Sequence, residues 1–127
     1  MKVALITGGL GFIGSQIARN MIQDNIVDKA VLLDHYGGFI NPLMSDFQDY
    51  RRYRLEGIED NVIIERGETR NSIIMTNLID KYRPEYVIHT AALPLAKIDN
   101  LNAAEAREGS VDSTAGILEI INYFKLK

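Results

Sequence analysis

Gly8, Gly11 and Gly14 recur at intervals of three between an apolar run, Met1 to Ile6, and an amphipathic stretch, Ser15 to Ile22. Strand, glycine-rich turn and helix start in that order make an anion site. The first amides of a helix lack intrahelical acceptors and carry partial positive charge. Glycines leave that end open to a phosphate. In this reading Gly8 allows the tight turn, Gly11 lets the backbone approach a diphosphate, and Gly14 lets the helix pack against the strand. A second strand, Ala30 to Leu33, ends in Asp34, twenty residues beyond Gly14. A carboxylate there is placed to accept hydrogen bonds from ribose hydroxyls, so the two segments together predict dinucleotide binding. An ordinary strand-to-helix turn explains the glycines but not Asp34.

Composition narrows the alternatives. The chain has 127 residues, enough for one domain with a core. A formal charge of −3 offers no basic surface for nucleic acid. Without cysteine there are no disulfides or thiolate metal sites, and His35 and His89 are too few and scattered for a metal cluster. Apolar runs are too short for a signal peptide or a membrane span. A cytoplasmic location is the default expectation.

Alternation of strand and helix predicts an α/β fold: a Rossmann-type parallel sheet of order 3-2-1-4, with helices on both faces. The predicted strands are Met1–Ile6, Lys29–Asp34, Asn61–Glu65 and Tyr86–His89. The first helix runs from about Phe12 to Gln23. Loops follow at His35–Gly38 and Asn41–Pro42, and Ser45 caps a helix through Leu55 that Gly57 ends. Its Arg51-Arg52-Tyr53-Arg54 run reads as a solvated face rather than a phosphate patch. Asn71 caps the next helix, whose core face is Ile73, Ile74, Leu78, Ile79 and Tyr82, and Arg83-Pro84 stops it. A long helix from Leu101 to Phe124 carries Val111, Ile117, Leu118, Ile121 and Phe124 on its apolar side. Gly109 or Gly116 in it could mark a close helix contact. Four strand ends then converge on one crevice, bringing together Gly8 to Gly14, Asp34, Glu68 and Ala91.

Taken together, Thr7-Gly8-Gly9-Leu10-Gly11-Phe12-Ile13-Gly14, Asp34, Gly67-Glu68-Thr69-Arg70-Asn71, His89-Thr90-Ala91-Ala92 and Ser110-Val111-Asp112-Ser113-Thr114 resemble a known family. It is the extended short-chain dehydrogenase/reductases, closest to the NAD-dependent nucleotide-sugar epimerases and dehydratases. The resemblance implies that Gly8, Gly11, Phe12 and Ile13 hold the diphosphate. Asp34 would bind the adenosine ribose with His35 beside it, and Glu68 and Thr69 would flank the adenine. Thr90, Ala91 and Ala92 would wall the nicotinamide side, with Ser110 near. Four positions depart from the family pattern. Glu68 replaces an aspartate, Ser110 and Ser113 replace the asparagine and glycine of Asn-Val-x-Gly-Thr, and Pro94 stands where some epimerases carry lysine.

Asp34 would repel a 2′-phosphate, which favours NAD over NADP. The resemblance further implies hydride transfer at the hydroxyl of a nucleotide sugar and a homodimer through the last helix. Family members use a Tyr-x-x-x-Lys pair after a fifth strand, for proton transfer by a phenol of lowered pKa. Tyr123 and Lys127 match that spacing but lie on the wrong helix, so no catalytic residue is assigned. Asp99, Glu105 and Glu108 read as solvated, and His89 as a satisfied strand-end histidine. The expectation is residues 1–127 as the N-terminal portion of an NAD(P)-binding domain, truncated before strand 5, lacking the substrate domain and inactive alone. Two alternatives stay open: a non-catalytic dinucleotide-sensing module, and a methyltransferase.

Overall fold

The computed structural model describes residues 1–35, 51–92 and 103–126. Its four strands are β1 (Val3–Thr7), β2 (Lys29–Asp34), β3 (Val62–Arg66) and β4 (Tyr86–His89). All pairings are parallel and the order is β3-β2-β1-β4, as predicted. Every residue of β1 is buried, because this strand is central and covered on both faces. Its side chains alternate between two cores. Ala4 and Ile6 join Leu10, Ala18, Met21, Leu32, Leu55 and Ile58 on one face, while Val3 and Leu5 join Val31, Leu33, Met75, Leu78, Ile79 and Ile117 on the other.

Helices α1 (Phe12–Gln23) and α2 (Arg51–Leu55) cover the first face. Gly57, at φ +82°, ends the turn after α2, and the predicted cap Ser45 lies outside the described residues. So do the loop positions Tyr36–Gly38, Asn41–Pro42 and Pro94, together with Asp99, Leu101 and Lys127. β3 begins one residue later than predicted, since Asn61 closes a 3-10 turn over Glu59–Asn61. Its side-chain amide also donates to the Asp28 carbonyl at 3.0 Å.

Helix α3 (Ser72–Tyr82) starts where predicted, with the Asn71 side chain accepting from the amides of Ile73 and Ile74, both at 3.1 Å. Of the predicted core face, Leu78 and Ile79 are buried and Ile74 and Tyr82 pack against the same cluster, while Ile73 does not. Met75, Leu78 and Ile79 form the buried stripe, and Ile73 is 70% exposed. At 100° per residue the i, i+3, i+4 set built on Met75 carries Ile73 off the sheet. Arg83 ends the helix in the left-handed conformation, at φ +43°.

The predicted long helix is interrupted. α4 (Ala103–Arg107) leads into a π-helical turn, Glu108–Asp112, and then α5 (Ser113–Phe124). Each residue inserted into a helix turns the following side chains about its axis. Val111 and Leu118, both assigned to the apolar side, are 62% and 61% exposed, whereas Ile117 is buried. A Cβ added at Gly116 would meet nothing within 4 Å, so Gly116 marks no close contact among the described residues.

The α3 phase predicts that Ile79→Ala will cost about 2–5 kcal/mol, as for a buried isoleucine that leaves a cavity. Ile73→Ala should stay within about 0.5 kcal/mol, as at an exposed position. Urea unfolding midpoints at constant slope test both.

Candidate nucleotide-binding crevice

The glycine turn is built by crowding on several sides. Gly8 adopts φ +66°, and a Cβ there would stand 2.9 Å from the Ala91 amide nitrogen. Gly9 is equally confined, since its Cβ would lie 2.7 Å from Leu32 Cβ and 2.9 Å from the Ile6 carbonyl oxygen. Sequence reading gave Gly9 no role, although a fourth glycine inside an otherwise sufficient triplet was a signal of close approach. A Cβ on Gly14 would run into the Gly8 carbonyl oxygen and lie 2.9 Å from Gly9 Cα. Gly14 therefore lets α1 pack against the turn itself, rather than against the strand as expected.

Within the turn the Gly11 amide donates to the Gly8 carbonyl at 3.0 Å. Gly11 is the N-cap of α1 and offers no side chain to the helix amides, and no acidic residue stands in the first turn. Phe12 and Ile13 are 80% and 63% exposed. The open helix start is thus shaped for an anion.

Leu10 is anchored from two other elements. Its amide donates to Asp34 Oδ2 at 3.3 Å, and its carbonyl accepts from Arg54 Nη1 at 2.8 Å. Arg54 is half-buried, which corrects the reading of its run as a solvated face; Arg52 and Tyr53 are exposed. Asp34 is partly exposed at the tip of β2 and His35 follows it at the surface.

On the opposite side of β1, Thr7 is fully buried and its Oγ1 lies 2.6 Å from His89 Nδ1. The Ala91 amide donates to the same hydroxyl oxygen at 3.3 Å. The neutral Nε2–H tautomer of His89 satisfies every partner at once, with the Thr7 hydroxyl donating to Nδ1 and Nε2–H turned to Ser113. Nε2 faces Ser113 Oγ at 3.4 Å, and Ser113 Oγ–H donates to the Gly109 carbonyl at 3.0 Å. Thr90 Oγ1 donates to the Thr7 carbonyl at 2.7 Å. His89 is thus a satisfied strand-end histidine, and Thr90, Ala91 and the exposed Ala92 continue from it along the crevice.

Sequence reading missed Thr7 and Ser113. Ser113 stands one helical turn before buried Ile117 and so faces inward. Ser110, the residue chosen from that motif, is exposed, and its carbonyl accepts from Thr114 Oγ1 at 2.6 Å. Beyond β3, Glu68 Oε2 accepts from Arg70 Nε at 3.0 Å and Nη2 at 2.6 Å, and Arg70 Nη1 donates to Glu108 at 2.7 Å. Thr69 is partly buried beside them, and a hollow of about 330 Å³ is lined by Arg70, Glu108 and Asp112. No group of His, Cys, Asp and Glu among the described residues is arranged for a metal, and no described helix is long and apolar enough to cross a membrane.

A parallel 3-2-1-4 sheet with a glycine turn after β1 and a carboxylate at the tip of β2 defines a Rossmann-type domain. The chain belongs to the family described as polysaccharide biosynthesis protein, whose model matches residues 4–127. Among curated relatives, dTDP-glucose 4,6-dehydratase of Neisseria gonorrhoeae is 39% identical over 93 residues, which are 72% of this chain and 24% of that protein. The Salmonella typhimurium enzyme of the same name is 32% identical over 94% of this chain and 30% of its own length. The chain therefore spans less than a third of these relatives. Two solved structures share the fold. UDP-glucose 4-epimerase of Thermotoga maritima with UDP-glucose superposes with TM-score 0.74 at 22% identity, over 98% of this chain and 35% of that one. dTDP-glucose 4,6-dehydratase of Bacillus anthracis in complex with NAD gives 0.69 at 20%, over 98% and 34%. The kinship with nucleotide-sugar epimerases and dehydratases read from the sequence is borne out.

Burial lowers the His89 pKa from its ordinary value of 6.5. The folded chain then binds fewer protons at this site than the unfolded chain, so stability rises with pH. The contribution is complete above about pH 6.5 and is lost as the pH falls through the folded pKa. Thermal unfolding midpoints from pH 8 to 5 should fall for the wild type, and fall less in His89→Gln.

Proposed function

We propose that this chain is the N-terminal, NAD-binding part of a nucleotide-sugar epimerase- or dehydratase-like oxidoreductase acting at a sugar hydroxyl. The observation that carries the reading is the glycine turn whose Leu10 amide is held by Asp34, which joins the anion site to the carboxylate of the next strand at 3.3 Å. The open start of α1, with Gly8, Gly11, Phe12, Ile13 and Gly14, would receive the diphosphate. Asp34, with His35 beside it, would accept hydrogen bonds from the adenosine ribose, and Glu68 and Thr69 would flank the adenine. Thr90, Ala91, Ala92 and Ser110 would line the nicotinamide side. The residues present fit the group: the start of α1 has no side-chain cap and no acidic residue in its first turn, and one carboxylate stands at the tip of the next strand as an acceptor for ribose hydroxyls. Bound NAD supplies a hydride acceptor.

This chain's own residues bind and orient; none is assigned to proton transfer. Residues 1–127 are read as the N-terminal portion of the dinucleotide-binding domain. The substrate-binding part and the Tyr-x-x-x-Lys pair are assigned to sequence beyond them, in keeping with relatives about three times as long. The relatives also support a nucleotide-sugar substrate for the complete enzyme. Exposed Leu118 and Tyr123 on α5 support a homodimer through the last helix, which light scattering on the complete protein tests.

Titration of the chain should give saturable binding of NAD, binding of NADP weaker by about tenfold or more, and none of S-adenosylmethionine. Asp34→Asn should narrow the NAD/NADP ratio, and Gly14→Val should abolish both. Binding of S-adenosylmethionine without NAD would overturn the reading.

A further inference from the structure

Both polar atoms of the Leu10 backbone are held by charged side chains from elsewhere in the chain, its amide by Asp34 and its carbonyl by Arg54. The second contact is made across 44 residues by a side chain that carries positive charge. Arg54 reaches the turn because α2 is fixed on two sides. Leu55, next to it, is buried against Leu10, Ala18 and Met21. Arg19 of α1 donates to the Arg54 carbonyl at 2.9 Å and to the Glu56 carbonyl at 2.8 Å. The guanidinium is therefore delivered to the turn by a packed element, not by a free surface side chain.

A turn with glycine at positions 8, 9 and 11 has a large backbone entropy to lose before its amides can point together at an anion. Amides fixed beforehand stabilise an anion without reorganising when it arrives. The Leu10 carbonyl and the Gly11 amide belong to one peptide plane. Holding the oxygen therefore also holds the Gly11 N–H on the Gly8 carbonyl, at 3.0 Å. That bond closes the turn immediately before the open amides of α1.

We infer that Arg54 is a positioning residue for the diphosphate site, acting through the Leu10 carbonyl on the glycine turn. The inference rests on the proposed dinucleotide binding and separates from it experimentally.

Arg54→Met keeps the aliphatic stem and removes both donor and charge, and Arg54→Lys keeps one donor and the charge. NAD, ADP-ribose and adenosine are titrated into the full chain, with circular dichroism as the check on folding. Arg54→Met should weaken NAD and ADP-ribose by about tenfold, as for loss of a charge-assisted bond, and adenosine by less than about twofold. Arg54→Lys should recover NAD binding to within about threefold. If Arg54→Met does not fold, Arg54→Gln replaces it with the same expected split. Unchanged NAD affinity, or equal weakening of NAD and adenosine, would overturn the positioning role while leaving the function intact. A wild-type chain that binds neither NAD nor ADP-ribose overturns the function itself, and the positioning role with it.

Discussion

Space around one turn constrains everything else. Gly8 meets the β4 loop, Gly9 meets β2, and Gly14 meets Gly8 and Gly9. No side chain larger than hydrogen fits at any of the three without backbone movement. The result is a helix start carried up to the end of the central strand, with no side-chain cap on its amides among the described residues. A longer side chain would do double damage. It would push α1 off the turn, and it would shield the partial charge that an anion needs to approach.

Crowding alone does not fix a turn rich in glycine. Polar ties from three directions complete it. Asp34 and Arg54 hold Leu10, while Thr7 holds the β4 loop through the Ala91 amide. The Thr7 tie runs on through His89 to Ser113 and the Gly109 carbonyl, so the π-helical turn belongs to the same hydrogen-bonded chain as the crevice. Each buried polar side chain along it has a partner, which a low-dielectric interior demands. In the family pattern a glycine stands at the position of Ser113. The serine hydroxyl gives His89 Nε2 an acceptor that glycine would not offer.

Much of this was legible in the sequence because the central strands are buried on both faces. The stretch Val3–Ile6 reads as an uninterrupted apolar run, and the glycines and Asp34 fall at strand ends, where ligands bind in such sheets. Sheet order follows from handedness, so the 3-2-1-4 arrangement was available before any coordinates. Helix phase was less legible. Ile73 and Ile74 are equally apolar, and only the position of Met75 against the sheet decides which turns inward. The π turn at Glu108–Asp112 leaves no mark in a periodicity that assumes 3.6 residues per turn, and Val111 lies exposed within it; Leu118, about 100° round α5 from buried Ile117, was placed on the wrong side as well. Arg54 was missed because its partner is a backbone carbonyl 44 residues away, and backbone carbonyls carry no sequence signal.

Glu68 shows how a substitution at a motif position can be absorbed. A glutamate carries one more methylene than the aspartate of the family pattern and would intrude further if left free. Here the same Oε2 accepts twice from Arg70, and Arg70 spans to Glu108 on the π turn. These side chains are about half exposed, so the pairs add little to stability. Their effect is directional. They turn the longer carboxylate toward Arg70, two residues along the chain, and tie the loop after β3 to the segment that carries Ser113. The loop proposed to flank the adenine and the turn leading to the nicotinamide side are thereby linked by one arginine, in addition to the hydrogen-bonded chain beneath the sheet's edge. One link is ionic and exposed, the other neutral and buried, and both end on the segment from Glu108 to Ser113.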